Sequence, residues 1–572
     1  MRGSILSVGL VLFAQVTLAG EFTKLTTDLS ALPAQQAWIG SLVTSRAAER
    51  TTFSDRGPTF SISFVLDPKI SGERSQICVK GPRAEIRAGR VRGLVFGAGA
   101  LLRSMNWRSD SFTVAEGERT FEPKKPLRCA YYARHFYNWY HTASADELIH
   151  LTEDLELSGV NTIRFQFFFP SIDVIRSKEG DVQSFEQASR RLTDALERMD
   201  MDLVCLGGGN QAPDTAPAEL RAAPQTDGKR GNGGFNVCPA KPGGFEYLTN
   251  LQQIALAKYE GVKINWFSHW PYDEGGCTCE KCRPWGGNGY LRLVKELAKQ
   301  NRVQHPQARV LLGTWTFYDD EFELLYKYLA TEDSKWIDAL IVDAHGDFPK
   351  YVLNHKLPRE VQIVTFPEIS MWGRAPWSGF GGIAMPARFE RIFRQCERVA
   401  TGFICYSEGI YEDLNKFVVT QLYVDPSRHW QDIVREYCHW EFPGMDEIRF
   451  VELITLLEET QVLPDFKQKS SLDQLTVGHD ETPVNGDFLE YCRECHAKAT
   501  KAEALSAELE KALTPACRAS WRWRQLRLRT IVDKEIFGAR TLHTPVADEV
   551  YRELIKLYHA ERTCPWVRSP LK

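Results

Sequence analysis

The sequence predicts an α/β protein whose main domain is a (β/α)8 barrel, preceded by a small α/β domain and followed by a helical domain. Two observations support the barrel. Eight short apolar runs alternate with longer helix-like segments between residues 126 and 443. Nearly every run ends in charged, aromatic or amide residues, and barrels build their sites at the carboxyl ends of the strands. This second observation favours a barrel over a doubly wound sheet.

Residues 1–19 have the pattern of a secretory signal peptide. One Arg precedes an apolar run of about a dozen residues, and Thr17, Leu18 and Ala19 form a small-residue cleavage signal. We expect the mature chain to begin near Gly20 and the protein to be secreted or periplasmic. No later stretch reaches the roughly 18 apolar residues that a bilayer requires, so we expect no membrane span.

Residues 20–125 form the predicted N-terminal α/β domain. TFSISFVLD alternates apolar and polar residues as a half-buried strand does, and AEIRAG is a second short strand. VRGLVFGAGALLRSM has the spacing of an amphipathic helix. The segment FEPKKPLRCA then interrupts the pattern with two prolines and two lysines, which indicates a linker.

Residues 126–443 carry the eight strands of the predicted barrel. These runs are RCAYYARHF, VNTIRFQFF, DLVCLGGG, VKINWFSHW, RVLLGTWTF, DALIVDAH, VQIVTFPE and GFICYSEG. Residues 444–572 then become helical, with charged faces and apolar stripes that are typical of a bundle packed on a barrel.

The composition limits the classes of partner. The net charge is only −4 and no long basic run occurs, so we expect no nucleic-acid partner. The chain holds 15 Trp, 19 Tyr and 31 Phe. Aromatic side chains at this density suit proteins that stack on the flat apolar faces of sugars, although large cores also use them. An oligosaccharide or polysaccharide is therefore the expected partner.

Polar residues at the ends of the predicted strands would converge on one cleft. The catalytic candidates are Asp273, Glu274, Glu368 and Glu408. The candidates for binding substrate are Arg134, His135, Asn138, Arg164, Trp315, Asp343, His345, Trp372, Trp377 and Tyr406. Glycoside hydrolysis requires one acid to protonate the leaving oxygen and a second group to stabilise or attack the anomeric carbon. Carboxylates across an aromatic cleft supply both.

Each acidic candidate also has a purely structural interpretation. Asp273 and Glu274 stand before two glycines, which is good turn chemistry. Glu368 could pair with a nearby arginine, and Glu408 could cap the helix that follows it. Asp343 could simply orient His345, or hold a loop.

Three cysteines at tight spacing, Cys277, Cys279 and Cys282, form a C-x-C-x-x-C cluster, and Cys238 follows the third predicted strand on the same rim. Four thiolates could close a tetrahedral structural zinc site. One or two disulfides are the competing interpretation in an exported protein. In either case we expect the cluster to fix the neighbouring acidic loop.

Parts of the sequence resemble known protein families. A small α/β domain ending in GLVFGAGALL, a barrel and a helical tail resemble the glycoside hydrolases that include family 20 hexosaminidases and family 67 α-glucuronidases. The segment from FNVCPAKPG through YDEGGCTCEKC to NGYLRLVKELAKQ resembles the DUF4838 proteins, which include family 163 endo-acting N-acetylglucosaminidases. The resemblance implies a carbohydrate-active enzyme.

The family 20 resemblance also implies roles for single residues. Asp273 would hold the substrate's 2-acetamido group, which attacks the anomeric carbon, and Glu274 would be the general acid. The residues implied for the pocket wall and the acetamido contact are Trp315, Trp372, Trp377 and Tyr406. Family 20 has glycines before its Asp-Glu pair, whereas Pro271 and Tyr272 precede it here.

The expected function is hydrolysis of a β-linked N-acetylhexosaminide, with no cofactor required for catalysis. One alternative is a glucuronidase-like enzyme that uses two carboxylates. It would bind a uronate with Arg134, Arg164 or Arg374, since guanidinium groups bind carboxylates bidentately. The other alternative is a carbohydrate-binding barrel without catalysis.

Overall fold

The computed structural model describes residues 17–134, 138–165, 179–213, 215–224, 236–272, 276–369, 382–461, 486–541 and 544–559. It confirms the predicted fold class: an α/β protein with a closed parallel barrel of eight strands, N-terminal sheets and C-terminal helices. The chain divides into two compact units, Met1–Phe121 and Glu122–Lys572. No helix within the described ranges is long and apolar enough to cross a bilayer.

The first unit contains two sheets and two helices. Its elements are β1 (Leu18–Phe22), β2 (Lys24–Asp28), α1 (Trp38–Ala48), β3 (Thr59–Leu66), β4 (Ser75–Lys80), β5 (Arg83–Ala88), α2 (Val91–Arg103), β6 (Asn106–Trp107), β7 (Phe112–Ala115) and β8 (Gly117–Phe121). One sheet has the order β2-β3-β5-β4-β8 and the other β1-β7-β6. The two predicted strands and the predicted helix correspond to β3, β5 and α2.

Strand β1 begins within the segment predicted to be a signal peptide. Leu18 pairs with Ala115 of β7, and Phe22 pairs with Phe112. Leu18 and Ala19 therefore have a place in this sheet, and cleavage near Gly20 stays a prediction.

Helix α2 packs closely on the five-stranded sheet because small residues face it. A Cβ atom at Gly97 would lie 2.7 Å from Ile86 Cγ2, and one at Gly93 would lie 2.8 Å from Ala88 Cβ. The glycines in the predicted amphipathic helix therefore have a packing reason. A side chain at either position would push the helix away from β5.

The second unit begins with the barrel, in which all eight predicted runs form strands. Its elements are β9 (Leu127–Tyr132), α3 (Trp139–Thr142), α4 (Ala145–Ser158), β10 (Thr162–Arg164), α5 (Glu179–Arg198), β11 (Asp202–Leu206), α6 (Gly244–Lys258), β12 (Trp266–His269), α7 (Gly289–Gln304), β13 (Arg309–Gly313), α8 (Asp319–Leu329), β14 (Ala339–Asp343), α9 (Lys350–Asn354), β15 (Gln362–Phe366), α10 (Pro386–Cys396), β16 (Gly402–Ser407) and α11 (Asp413–Val424). Neighbouring strands are parallel, and β9 closes the barrel by pairing with both β10 and β16.

The barrel interior is a packed hydrophobic core. Buried side chains from alternate positions of the strands fill it, including Cys129, Tyr131, Val204, Trp266, Leu311, Ile341, Val364, Phe366 and Ile404. Alternation arises because successive side chains of a strand point to opposite faces. Tyr131 and Phe366 lie near the carboxyl ends of their strands, which is where a barrel places its site, whereas Trp266 begins β12.

Helices complete the second unit. They are α12 (Trp430–Glu441), α13 (Glu447–Glu459), α14 (Gly486–Leu509), α15 (Pro515–Ala519), α16 (Trp521–Ala539) and α17 (Pro545–Leu557). Arg522 of α16 joins them to the barrel helices, since its Nε donates to Asp413 Oδ2 and its Nη2 to Asp154 Oδ2, both at 2.8 Å. Such buried, charge-assisted hydrogen bonds fix the orientation of α16 against α4 and α11.

Candidate active site

Five aromatic side chains form a continuous floor at the carboxyl end of the barrel. Tyr131 meets Tyr406 edge to face with ring centroids 5.3 Å apart. Trp270 stacks on Trp315 at 5.7 Å and contacts Phe366 at 4.8 Å. The ring centroids of Phe366 and Tyr406 are 6.1 Å apart, so this contact connects the two tyrosines to the two tryptophans. A flat apolar surface of this kind suits the carbon face of a sugar ring.

A carboxylate–imidazole–carboxylate arrangement lies beside this floor. His345 Nε2 is 2.5 Å from Glu368 Oε2, and His345 Nδ1 is 2.9 Å from Asp343 Oδ1. The backbone N–H of His345 also donates to Asp343 Oδ1 at 2.9 Å. The imidazole is buried against Trp315, with centroids 4.3 Å apart. The sequence prediction that Asp343 orients His345 agrees with this geometry.

His345 is protonated at neutral pH in this environment. Burial lowers its pKa, but the charges of Glu368 and Asp343 outweigh the burial and raise the pKa to about 9. The resulting imidazolium favours the ionised form of the Glu368 carboxyl group, because an opposite charge at this distance stabilises a carboxylate. The end of β15 therefore holds an ion pair.

Glu408, just beyond β16, is in the opposite situation. The side chain is 5% exposed, and burial followed by the charges of Glu368 and Glu412 raises its pKa well above the ordinary value. The hydroxyl of Tyr406 donates to Glu408 Oε1 at 2.9 Å, which lowers the pKa but does not compensate. The surroundings of Glu408 accordingly favour its protonated form, which can give up a proton.

A second buried pair supports the backbone under Glu408. The backbone N–H of Glu408 donates to Glu412 Oε1 at 3.2 Å, and Lys416 Nζ donates to Glu412 Oε2 at 3.2 Å and to the Gly409 carbonyl at 2.5 Å. Glu412 and Lys416 are both fully buried in α11 and the turn before it. This pair fixes the turn that follows β16. Glu412 directly precedes α11, but its side chain makes no capping hydrogen bond to that helix.

Arg164, at the end of β10, lies across the floor from His345. Its guanidinium carbon is 4.0 Å from the centroid of Tyr131 and 5.3 Å from that of Trp270. The side chain is 2% exposed, yet Nε and Nη1 have no hydrogen-bond partner within the described part of the chain. A buried guanidinium held only by aromatic rings is expensive unless an anion or a polar ligand satisfies it.

Two other predicted binding residues are engaged in local structure. Arg134 Nε donates to the Tyr140 carbonyl at 3.1 Å, and Nη1 donates to Ser189 Oγ. Burial lowers the pKa of Arg134 to about 9. Asn138 caps α3, because its Oδ1 accepts from Tyr140 N–H at 3.1 Å while its Nδ2 donates to the Ala133 carbonyl at 2.8 Å. Five further candidates lie outside the described residues: His135, Asp273, Glu274, Trp372 and Trp377.

Several residues of the site were not singled out from the sequence. Tyr131, Trp270 and Phe366 stand in or directly after the predicted strands, and the period-two alternation from buried Cys129 to Tyr131 is the signal that could have found the first. Glu412 has no such signal. Its contact with Glu408 depends on how the chain turns after β16.

The four cysteines of the rim lie together. Their sulfur atoms are all within 4.8 Å of one another, and the cluster could hold a metal ion such as zinc. The four are free thiols in the structure, and Cys279 is the least buried of them. A hydrogen bond from Cys282 lowers the pKa of Cys277 to about 5, whereas the same bond and burial raise that of Cys282.

Solved structures with the same architecture are all distant in sequence. One is a family 115 4-O-methyl-α-glucuronidase with specificity for decorated arabinogalactans, at 8% identity and a TM-score of 0.60 over 96% of this chain and 77% of that one. A second is a family 89 glycoside hydrolase from Clostridium perfringens in complex with PUGNAc, at 12% identity and 0.56 over 93% and 67%. The fold is that of these glycoside hydrolases.

A third similar structure is a family 138 enzyme that targets pectin rhamnogalacturonan II, at 13% identity and a TM-score of 0.55 over 96% of this chain and 76% of that chain. No protein-family model and no curated protein matches the chain. The similarity therefore shows the glycoside hydrolase fold, and it establishes no single family.

Proposed function

We propose that the protein is a glycoside hydrolase whose chemistry is carried out at the carboxyl ends of β15 and β16. The observation that carries the proposal is the difference between Glu368, paired with a protonated His345, and Glu408, buried and neutral. Two carboxyl groups whose environments drive their pKa values apart are the acid and base pattern of glycosidases.

Each group has a defined role in this proposal. Glu368, as an ionised carboxylate, attacks the anomeric carbon or activates a water molecule against it. A neutral acid protonates the departing oxygen. Glu408 is the candidate for that acid among the described residues, and Glu274 is the candidate from the sequence resemblance. The sugar would stack on the floor formed by Trp270 and Trp315. No step requires a cofactor.

The proposed substrate is a β-linked N-acetylhexosaminide in a glycan or polysaccharide. The support comes from the Asp-Glu pair at Asp273 and Glu274, which resembles that of family 20 hexosaminidases. The similar family 89 enzyme was solved in complex with PUGNAc. In this proposal Asp273 orients the 2-acetamido group and Tyr406 contacts it. An exported location, as the N-terminal segment predicts, would bring the enzyme to such glycans.

A second substrate class, a uronide, is favoured by Arg164. Its buried guanidinium offers two donors that no described residue accepts, beside the aromatic floor. A uronate carboxylate would accept a charge-assisted hydrogen bond from this guanidinium. One of the similar structures is a glucuronidase.

The test is a panel of aryl glycosides: β-GlcNAc, β-GalNAc, β-glucoside, and α- and β-glucuronide. Wild type is measured beside Glu368→Gln, Glu274→Gln and the matched control Glu360→Gln, an exposed residue at the opposite end of β15. We expect the Glu368 variant to lose on the order of a hundredfold or more on whichever substrate is cleaved, and the control to lose nothing.

The substrate that is cleaved decides between the two classes. Cleavage of a 2-acetamido sugar supports the hexosaminidase proposal, and a large loss in Glu274→Gln assigns the acid to that residue. Cleavage of a uronide alone supports the second class. Full activity of Glu368→Gln would refute the proposed chemistry. Aryl substrates do not detect an endo-acting enzyme, so a glycan digest with the same variants accompanies the panel.

A further inference from the structure

A cluster of four cysteines joins two loops on the rim of the barrel. Cys238 belongs to the connection between β11 and α6, whereas Cys277, Cys279 and Cys282 belong to the connection between β12 and α7. Cys238, Cys277 and Cys282 are buried almost completely. The cluster is built from segments about forty residues apart, so the fold itself, and not only local spacing, brings the sulfur atoms together.

The distances match those of a tetrahedral metal–thiolate site. Cys238 Sγ is 3.7 Å from Cys279 Sγ and 3.8 Å from Cys282 Sγ. A regular tetrahedron with metal–sulfur bonds of about 2.3 Å has sulfur–sulfur edges of about 3.8 Å. A disulfide needs sulfur atoms about 2 Å apart. Cys238 Sγ therefore lies at the distance from two other sulfur atoms that is expected when all three bind one tetrahedral ion.

Asn210 connects the two loops directly beside the cluster. Its Nδ2 donates to the carbonyl of Val237 at 3.2 Å and to that of Gly276 at 2.9 Å, and its Oδ1 accepts from Gly276 N–H at 2.9 Å. Val237 and Gly276 each precede a cysteine of the cluster. A buried amide therefore holds the backbone on both sides of the four sulfur atoms.

We propose that Cys238, Cys277, Cys279 and Cys282 bind one structural Zn²⁺ ion that clamps the loop after β11 to the loop after β12. Four soft thiolates at tetrahedral distances select zinc over the hard cations that prefer oxygen ligands. A site closed by four protein ligands has no open position for water or substrate, so the ion is structural. The clamp is independent of the chemistry proposed for Glu368 and Glu408.

The first experiment measures the metal content of the purified full-length protein. Elemental analysis and native mass spectrometry are expected to give one zinc per chain. A thiol-reactive mercurial should release that zinc, and the chelator-stripped protein should take up Co²⁺ with the visible absorption of a tetrahedral thiolate complex. Iron in place of zinc, or no metal with four thiols that alkylate freely, would overturn the proposal.

Matched cysteine variants then assign the ligands. Cys279→Ser should reduce the zinc content from one per chain to near zero, because its partly exposed side chain can change with little disturbance of packing. The control is Cys78→Ser, an exposed cysteine of β4 in the other unit, which should keep the full zinc content. Equal zinc content in both variants would contradict the assignment.

If the Cys279→Ser variant does not fold, a measurement on the wild-type protein tests the proposal instead. Peptide mapping without reduction, after alkylation of the unfolded chain, should recover all four cysteines as single alkylated thiols. Recovery of any pair of them as a disulfide, seen as a loss of two protons per bridge, would overturn the zinc site and establish the alternative. Loss of glycosidase activity alone bears on neither result.

Discussion

Two neighbouring strand ends of the barrel hold the same kind of side chain in opposite states. At the end of β15, Glu368 faces an imidazolium 2.5 Å away. At the end of β16, Glu408 is buried and lies close to two other acids, and the hydroxyl of Tyr406 is the one donor to its side chain within the described residues. Both strand ends carry a carboxyl group, and the side chains around each group determine whether it is ionised.

The largest expected effect comes from replacing the neutral member. Glu408→Gln keeps the shape and removes the transferable proton. If Glu408 is the acid, kcat/KM on the cleaved substrate should fall by about 10² to 10⁴. The measurement is steady-state kinetics beside the Glu360→Gln control. A loss confined to Glu274→Gln would instead leave Glu408 a structural role.

The pH dependence of stability should separate the two strand ends. Glu408 has a folded-state pKa above its unfolded value, so its contribution is complete below about pH 4.5 and is lost as pH rises through the folded-state pKa. Glu408→Gln should therefore flatten the alkaline decline of the unfolding free energy. Denaturant titrations across pH measure this, and an unchanged slope would contradict the raised pKa.

Removing the imidazolium should break the ion pair at the end of β15. His345→Gln leaves Glu368 without its cation and should reduce the free energy of unfolding by about 3 kcal/mol, as breaking a buried ion pair does. The pKa of about 9 means that this contribution is present below pH 6.5 and is lost as pH rises through 9. Wild type and variant should accordingly converge in stability at high pH, in the same titrations.

Arg164 provides a contrast to His345, since it is a buried cation without a described carboxylate. Arg164→Met removes the charge and keeps much of the volume. If the substrate is a uronide, we expect kcat/KM to fall about tenfold to a hundredfold on it, as loss of hydrogen bonds to a charged group predicts. Neutral aryl glycosides are the control substrates, and an equal loss on both would exclude a carboxylate contact.

The smallest expected effect is that of Tyr406→Phe. This change removes the hydrogen bond that lowers the pKa of Glu408. A single hydrogen bond contributes about 1 kcal/mol, so activity should change by less than about tenfold. The alkaline limb of the pH–rate profile should move to higher pH. A shift to lower pH would contradict the proposed hydrogen bond, in which the Tyr406 hydroxyl donates to Glu408.

The sequence was sufficient for the strands and for the positions of the acids along them. Each barrel strand coincides with an apolar run, and Glu368 and Glu408 could be predicted because polar residues at the ends of buried runs are conspicuous. Their partners could not. The pairing of His345 with Glu368 depends on a contact between two strand ends, for which periodicity carries no information.

The arginines illustrate the same limit. Arg134 and Arg164 both follow buried runs and were equivalent as candidates for a carboxylate. In the structure, Arg134 donates to the Tyr140 carbonyl and to Ser189, whereas Arg164 lies against aromatic rings and its Nε and Nη1 find no acceptor among the described residues. The difference arises from α3 and α5, which bring acceptors to one guanidinium and none to the other. The spacing of residues in the sequence carries no information about this difference between the two arginines.

The most direct measurement is the infrared difference spectrum between wild type and each of two variants at neutral pH, without substrate. We predict that Glu408→Gln removes a protonated carboxyl C=O band, whereas Glu368→Gln removes an ionised carboxylate band. Glu360→Gln, at an exposed position, serves as the reference for an ionised group. Loss of a carboxylate band in Glu408→Gln would mean that both strand ends are charged and would contradict the proposed division between acid and base.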